Sequence, residues 1–151
     1  MSYMQRSAVK KSVRIDLRHA KVLVVDDIQA NLEVAAELLR KYGMRVDCVT
    51  NGRDAIDIVN RGEPVYDAIF MDYMMPEMDG VETAQAIRAI GTEYSAMVPI
   101  IAVTASVIDG SEQMFLERGF QAFLPKPIDV IRLDAILRQW ISNPNYNPAY
   151  L

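Results

Sequence analysis

The sequence predicts an α/β fold in which five parallel strands form a doubly wound sheet with helices on both faces. Short apolar runs, rich in β-branched residues, alternate five times with amphipathic segments. These segments are long enough to be right-handed crossover helices, which cover both faces of a parallel sheet. The predicted strands are residues 22–25, 46–49, 68–71, 99–103 and 122–124.

A segment with helical spacing follows each strand. The first predicted helix ends before Gly43 and the fourth before Gly119, where a left-handed residue suits a helix end. Pro76 and Gly80 indicate a loop before the third helix, and Asp129 is a suitable N-cap for the last one. The predicted helices are residues 28–42, 52–60, 81–90, 106–118 and 129–141.

The length and composition predict one globular domain. The chain has 151 residues, of which 51% are hydrophobic and 24% charged, enough to bury one good core. Residues 1–20 carry several basic side chains without sustained periodicity, so we interpret them as a leader or linker. The domain then covers residues 21–141, and residues 142–151 form a C-terminal tail.

The same composition disfavours several classes of function. A net charge of −4 and an isoelectric point near 5.0 provide no basic stripe for a nucleic-acid partner. No apolar stretch approaches the ~20 residues that span a bilayer, so we expect no membrane contact by this segment. The single cysteine, Cys48, cannot form an internal disulfide, and its apolar neighbours predict that it is buried. These features favour a reducing, cytoplasmic location.

Polar residues follow four of the predicted strands and suggest a shared site. They are Asp26 with Asp27, then Asp72, Thr104 and Lys126. Since ligands of open α/β sheets bind outside the carboxyl ends of the strands, we expect these side chains to converge. Each has an ordinary alternative on its own: an aspartate pair can cap a helix, Asp72 can cap a loop, and a lysine is usually solvated.

Clustered carboxylates need a cation. Two of them at about 4 Å repel by ~4 kcal/mol at an effective dielectric of 20. A set of oxygen ligands without histidine or thiolate favours Mg²⁺, with Mn²⁺ as a possible substitute. A carboxylate oxygen can also act as a covalent nucleophile toward a phosphoryl group. The metal and Lys126 would then neutralise the phosphoryl oxygens, and the Thr104 hydroxyl could donate to one of them.

Four segments carry the most distinctive motifs of the chain. Residues 22–27 read VLVVDD, residues 71–80 read MDYMMPEMDG, residues 101–105 read IAVTA, and residues 123–129 read FLPKPID. In order and spacing, residues 21–141 resemble a response-regulator receiver domain of two-component signalling. The resemblance implies a flavodoxin-like (βα)5 fold with strand order 2-1-3-4-5.

The resemblance also implies a role for each site residue. Asp72 would be the phosphoacceptor, and Asp27 and Asp72 would bind Mg²⁺ directly together with the backbone carbonyl of Met74. Asp26 would act mainly through water. The remaining roles concern the phosphoryl group: its oxygens would be held by Thr104 and Lys126, and its approach kept open by Ala105.

A conformational switch is implied as well. Phe123 occupies the place of an aromatic that turns inward when Thr104 moves toward the phosphoryl group. The last two helices and the strand between them would form the altered face. The resemblance further implies a cis Lys126–Pro127 bond, and slow self-dephosphorylation whose rate depends on Met74 and Ser106.

The motifs resemble most closely the receivers of hybrid sensor histidine kinases, in which Asn31 has a counterpart four residues after the second acid. The expected partner is a histidine kinase or a histidine-containing phosphotransfer domain that docks on the first helix. We expect the chain to be a fragment of such a kinase, and a stand-alone single-domain response regulator is the alternative.

Three rival functions are disfavoured by particular residues. A Mg²⁺-dependent phosphohydrolase with an aspartyl nucleophile would need a second acid two residues after Asp72, where Met74 stands. A flavin-binding protein would need a glycine- and hydroxyl-rich loop after the first strand, and the acidic loop at residues 26–29 would repel phosphate. A receiver that only binds proteins would not need the full set of acids, threonine and lysine. We therefore expect a phosphoacceptor and not an enzyme.

Overall fold

The computed structural model describes residues 15–105 and 111–141 and contains a five-stranded parallel sheet with strand order β2-β1-β3-β4-β5. The strands are β1 (Lys21–Val25), β2 (Arg45–Val49), β3 (Ala68–Asp72), β4 (Ile100–Thr104) and β5 (Ala122–Pro125). The helices are α1 (Gln29–Arg40), α2 (Gly52–Arg61), α3 (Gly80–Arg88), α4 (Glu93–Met97), α5 (Ser111–Glu117) and α6 (Val130–Trp140). The predicted fold class and strand order are confirmed.

The central strands are hydrophobic on both sides because the sheet separates two cores. β3 and β4 are buried along their whole length. On one face, α1 and α6 pack Leu32, Leu39 and Leu133 against the sheet. On the other face, α2, α3 and α5 contribute apolar side chains such as Ile87 and Phe115. A parallel sheet covered on both faces leaves its strand ends as the place for polar residues.

Side-chain caps fix where three helices begin. Asn51 accepts a hydrogen bond from the backbone N–H of Asp54 at the start of α2. Asp79 and Glu82 form a reciprocal capping box at the start of α3. The predicted cap Asp129 accepts from the backbone N–H of Ile131.

The ends of the helices also follow the sequence. Gly43 and Gly119 adopt φ values of 86° and 100°, as expected for left-handed positions after a helix. The Lys126–Pro127 bond is cis, which the receiver resemblance implies, and Glu63–Pro64 is a second cis bond.

The structure contains one helix that the sequence did not predict. α4 has only five residues, so it offers too few positions for a helical pattern to be visible. Its signal is local: Thr92 and Ser95 form a reciprocal capping box. The first five residues of the predicted fourth helix, 106–110, lie outside the described residues.

Two side chains differ from their predicted environments. Cys48 is exposed, contrary to prediction, because β2 is an edge strand with only partial cover. Leu17 lies in the segment interpreted as a leader, but it is buried in the core beside α1 and α6.

Arg88 fastens the edge of the sheet opposite the strand ends that carry the acids. Its guanidinium donates to the backbone carbonyls of Ser95, Val98 and Gly119 and to the side chain of Gln121. Gln121 also accepts a hydrogen bond from the backbone N–H of Ile100. One side chain thus joins α3, α4 and the entries to β4 and β5.

Within the part of the chain that the structure describes, no helix combines the length and the apolar character needed to cross a membrane.

Candidate functional site

Three acids meet at the carboxyl edge of the sheet. Asp26 and Asp27 follow β1, and Asp72 ends β3, the neighbouring strand. One carboxylate oxygen from each residue lies within 4.8 Å of the others. Asp26 and Asp72 are each only 5% exposed, whereas Asp27 faces solvent. Two buried negative charges at this separation require compensation.

Lys126 supplies part of that compensation. Its ammonium lies 3.0 Å from Oδ1 of Asp72 and 3.2 Å from Oδ2 of Asp26, so it bridges both buried acids. The backbone places it there, because the Lys126 N–H donates to the carbonyl of Thr104 at the end of β4. The convergence that the strand ends predict is therefore present in the folded chain.

Asp26 is further held by its own loop. Its Oδ1 accepts a hydrogen bond of 2.9 Å from the backbone N–H of Ile28 and a long one of 3.5 Å from the Asn31 side chain. The two oxygens of Asp26 therefore face different partners, with Oδ2 turned toward Lys126.

The positive charge of Lys126 does not fully offset the cost of burying the Asp72 carboxylate beside Asp26. Burial raises the pKa of Asp72 to about 6, and the hydrogen bond from Lys126 opposes this only in part, while the charge of Asp26 adds to it. Burial alone would lower the pKa of Lys126, but its contacts with Asp72 and Asp26 raise it overall. Lys126 therefore stays charged, and Asp72 is held in an environment that disfavours its anion.

The donor set suits a hard divalent cation. All three groups are carboxylates, and the described part of the chain places no histidine or cysteine among them. Oxygen ligands of this kind favour Mg²⁺ or Mn²⁺ over softer metals. A divalent charge at this point would relieve the repulsion that burial imposes on Asp72.

A comparison with protein-family models decides the family. The model for the response regulator receiver domain matches residues 22–138. This chain belongs to the response-regulator receiver domain family. The receiver resemblance drawn from the four motifs is therefore confirmed.

The curated proteins that are similar in sequence are consistent with this family. The chain is 36% identical over 124 residues to "Probable histidine kinase 6" of Oryza sativa subsp. japonica, a match that covers 72% of this chain and 13% of that protein. The curated relatives that it matches are hybrid and sensor histidine kinases, among others, and the chain spans 5% to 16% of their length.

Two solved receivers are similar in fold. The receiver of sensor histidine kinase PA1611 from Pseudomonas aeruginosa PAO1 has a TM-score of 0.71 and 35% identity, covering 82% of this chain and 98% of that one, and holds a magnesium ion in its active-site cleft. The receiver of the histidine kinase CKI1 from Arabidopsis thaliana, complexed with Mg²⁺ and BeF₃⁻, has a TM-score of 0.70 and 33% identity over 84% of this chain and 93% of that one.

The other predicted site residues that the structure describes lie at or near the same strand ends. Thr104 is buried at the carboxyl end of β4, and Ala105 follows it at the surface. Pro127 lines the same hollow as Asp72 and Lys126. Ser106 lies outside the described residues. The Met74 backbone N–H contacts the Asp72 carboxylate, and the role of the Met74 carbonyl stays a prediction.

The aromatic residue of the predicted switch is half-buried in this receiver. Phe123 stacks on Phe115, with ring centroids 5.2 Å apart, and the Arg132 guanidinium lies 4.5 Å from its ring centre. Phe115 also makes an edge contact with Tyr73, the residue after Asp72. An aromatic chain thus leads from the acid at the end of β3 to the surface of α6.

Gly80 has a role in this receiver that the sequence did not predict. A side chain there would place its Cβ 2.5 Å from the carbonyl oxygen of Asp72 and 2.9 Å from the Cα of Tyr73. The Gly80 N–H also donates to the carbonyl of Tyr73. The available signal was a glycine directly after Asp79, a residue type that on its own predicts only a loop.

Proposed function

We propose that this receiver accepts a phosphoryl group on Asp72 from a phosphohistidine of a histidine kinase or a histidine-containing phosphotransfer domain. The observation that carries the proposal is the buried carboxylate of Asp72, with Lys126 at 3.0 Å and two further acids beside it. The family supports the same reaction, because receivers are the signalling domains to which this chain is homologous.

The transfer is a simple exchange of bonds. An oxygen of the Asp72 carboxylate forms a bond to phosphorus as the bond between phosphorus and the histidine nitrogen breaks, and that nitrogen keeps the electron pair. The products are an aspartyl phosphate and free histidine. Asp72 must be ionised to attack, and a pKa of about 6 leaves it mostly ionised at neutral pH.

The side chains around Asp72 have distinct roles in this proposal. Asp27 and Asp72 would hold Mg²⁺ directly with the backbone carbonyl of Met74, and Asp26 would hold it through water. The ion supplies positive charge next to the transferring oxygens. Lys126 neutralises a second oxygen, and the Thr104 hydroxyl donates to a third.

Phosphorylation would change the conformation of the domain through its aromatic residues. We propose that movement of Thr104 toward the phosphoryl group lets Phe123 leave its stack on Phe115 and turn inward. The face formed by α5, β5 and α6 would then change, because Phe115 lies on α5 and the Phe123 contact Arg132 lies on α6. Such a switch is a two-state element biased by a local change of charge.

The parent protein is a further proposal. We propose that the chain is the receiver segment of a hybrid sensor histidine kinase acting in the cytoplasm, and the support is its similarity to receivers that form 5% to 16% of such proteins. A single-domain response regulator is the alternative. A phosphohydrolase is less well supported, because the exposed apolar side chain of Met74 stands where a general acid would be needed.

The test is phosphorylation by acetyl phosphate with and without Mg²⁺, followed by intact mass and peptide mapping. We expect one added phosphoryl group that requires Mg²⁺ and is absent in Asp72→Asn. The matched control is Asp57→Asn on the solvent side of α2, which should be labelled like the parent chain. Labelling of the Asp72→Asn variant at the parent rate would show that Asp72 is not the acceptor.

A second experiment tests the contact between Gly80 and the acceptor strand. Gly80→Ala forces the Cβ against backbone atoms of Asp72 and Tyr73 that cannot rotate away. We expect a loss of about 1–3 kcal/mol in the free energy of unfolding, because overpacking is relieved only by moving the backbone. We also expect about tenfold weaker Mg²⁺ binding, measured by titration of amide shifts, since a shift of that backbone carries the Asp72 carboxylate with it.

The control for this experiment is Gly52→Ala. A Cβ at Gly52 would lie 2.1 Å from the Thr83 hydroxyl, in the packing of α2 against α3, and its nearest contacts would be side-chain atoms of Thr83 and Met78 and not backbone atoms of the acids. This variant should lose stability without losing Mg²⁺ affinity. Equal losses of Mg²⁺ affinity in the two variants would show that the Gly80 contact does not position the acid.

A further inference from the structure

A cavity lies between α1, α6 and the sheet, directly beneath the acids. Its volume is about 230 Å³, and its walls are apolar along most of their length. They include Val24 and Phe70 from the strands, Ala35 and Leu39 from α1, and Ile128 and Leu133 from the other side. Apolar cavities of this size bind small apolar molecules when an opening gives access.

The cavity is open because α1 presents small side chains to it. Val34 and Ala35 are short, and Leu39, one turn later, is the only leucine that α1 contributes to the wall of the cavity in the described part of the chain. Val34 is 55% exposed, so it forms part of the opening.

One end of the cavity is charged. Asp26, Asp72 and Lys126 all line it, and Asn31 lies beside them on α1. Two carboxylates and one ammonium leave a formal charge of −1 in contact with the cavity, and the nearby Asp27 adds to the negative potential. A cationic group at this end is therefore better matched than an anionic one.

We infer that this cavity binds a small organic cation, an aromatic or branched aliphatic amine, with its apolar body between α1 and α6 and its ammonium group toward Asp26 and Asp72. An engineered cavity of about 150 Å³ holds benzene, so the present volume suits about nine non-hydrogen atoms. The ammonium group donates hydrogen bonds to the carboxylate oxygens of Asp26 and Asp72 that Lys126 does not contact. The occupant is a ligand and not a substrate, because an amine carries no phosphoryl group for Asp72 to accept.

Binding of this cation has a consequence for the acid site. The ammonium group and Mg²⁺ both use the negative charge of Asp26 and Asp72, so each lowers the affinity for the other. The amine would therefore act as an inhibitor of phosphorylation. This effect rests on the proposed function, but occupation of the cavity does not, and the experiment measures occupation without any phosphoryl donor.

The probes are three compounds of nearly equal size: 2-phenylethylamine, 2-phenylethanol and phenylacetate. Each is titrated into metal-free protein while the backbone amide shifts are followed. We expect the amine to bind with a dissociation constant on the order of 1 mM and to shift the amides of residues around Val24, Ala35 and Leu133. We expect the alcohol to bind about tenfold more weakly and phenylacetate more weakly still. Mg²⁺ at ten times its own dissociation constant should raise the apparent dissociation constant of the amine about tenfold.

Two pairs of variants locate the binding. Ala35→Leu fills the cavity and should lower the affinity for the amine at least about fivefold. Ala86→Leu, at a similarly half-buried position on α3, should leave that affinity unchanged. Val34 is exposed, so Val34→Lys and Val34→Glu leave the core intact. The added positive charge of Val34→Lys should lower the affinity for the amine, and the added negative charge of Val34→Glu should raise it.

Two results would overturn the inference. One is the absence of shifts at the cavity amides with all three compounds. The other is equal binding of the amine and the alcohol, unaffected by Mg²⁺ and by the charge introduced at Val34. If the cavity binds the amine but Asp72 accepts no phosphoryl group, only the proposed function fails.

Discussion

Asp72→Asn is expected to stabilise the metal-free protein by about 2 kcal/mol at neutral pH, although it removes the proposed phosphoacceptor. The cause is the burial of Asp72, which raises its pKa to about 6 and is only partly offset by Lys126. In the unfolded chain the pKa would be near its ordinary value of 3.8. An asparagine has nearly the same shape and carries no charge, so it escapes this penalty.

The sign of the pH dependence follows from those two values. The folded protein binds the Asp72 proton more tightly than the unfolded chain does, so this residue destabilises the fold increasingly as the pH rises from about 4 to about 6. Above that range the penalty is complete, and below it the penalty is absent. The advantage of Asp72→Asn should therefore be full at neutral pH and disappear near pH 4.

Chemical denaturation in the presence of EDTA, at several pH values, measures the effect. Asp57→Asn is the control, because replacing an exposed acid changes stability by no more than about 0.5 kcal/mol. Added Mg²⁺ should make the parent chain more stable than Asp72→Asn, since the ion binds the folded parent chain more tightly than the folded variant. A stability advantage that does not change with pH would contradict the assigned cause.

Lys126→Met is expected to have the opposite effect and to destabilise the metal-free protein by about 3 kcal/mol at neutral pH. Removal of one partner from a buried charge pair leaves the other uncompensated, which costs about 3–5 kcal/mol. Here two acids lose their shared partner at 3.0 Å and 3.2 Å, and the partial exposure of the lysine reduces the loss. Protonation of Asp72 below pH 6 should make the loss smaller.

The same denaturation experiment checks this prediction, and a double variant tests the mechanism. Asp72→Asn combined with Lys126→Met should be more stable than the sum of the two single effects, because the second substitution then leaves fewer negative charges unpaired. The control is Lys41→Met just after α1, an exposed lysine that should change stability little. Strict additivity in the double variant would show that the two side chains do not share an interaction.

The fold was predictable because its signals repeat along the chain. β3 and β4 are buried on both faces, so they appear in the sequence as continuous apolar runs, and glycines mark the ends of the helices. The position of the acids was predictable for the same reason. Strands that run in parallel bring Asp26 and Asp72 to one edge, whatever the details of packing.

The features that were not predicted depend on contacts that the local sequence does not encode. Cys48 was predicted to be buried from its apolar neighbours, whereas its exposure follows from the position of β2 at the edge of the sheet, which the neighbours do not reflect. Leu17 precedes the first strand in a segment without a recognisable pattern. Its backbone N–H donates to the carbonyl of Tyr42 after α1, and this contact holds it against the core. The cavity beneath the acids depends on how far apart α1 and α6 lie, a distance that the small side chain of Ala35 permits but does not determine.

The bridge made by Lys126 bears on when the protein becomes active during its synthesis. Lys126 is 100 residues after Asp26 and 54 residues after Asp72, and it joins them only through β5, the last strand. When the ribosome has synthesised β4, the chain already contains all three carboxylates but not the lysine that balances them. The complete set of charges therefore forms only when translation has passed β5 and that strand has docked on β4, and under the proposed function the chain accepts a phosphoryl group no earlier.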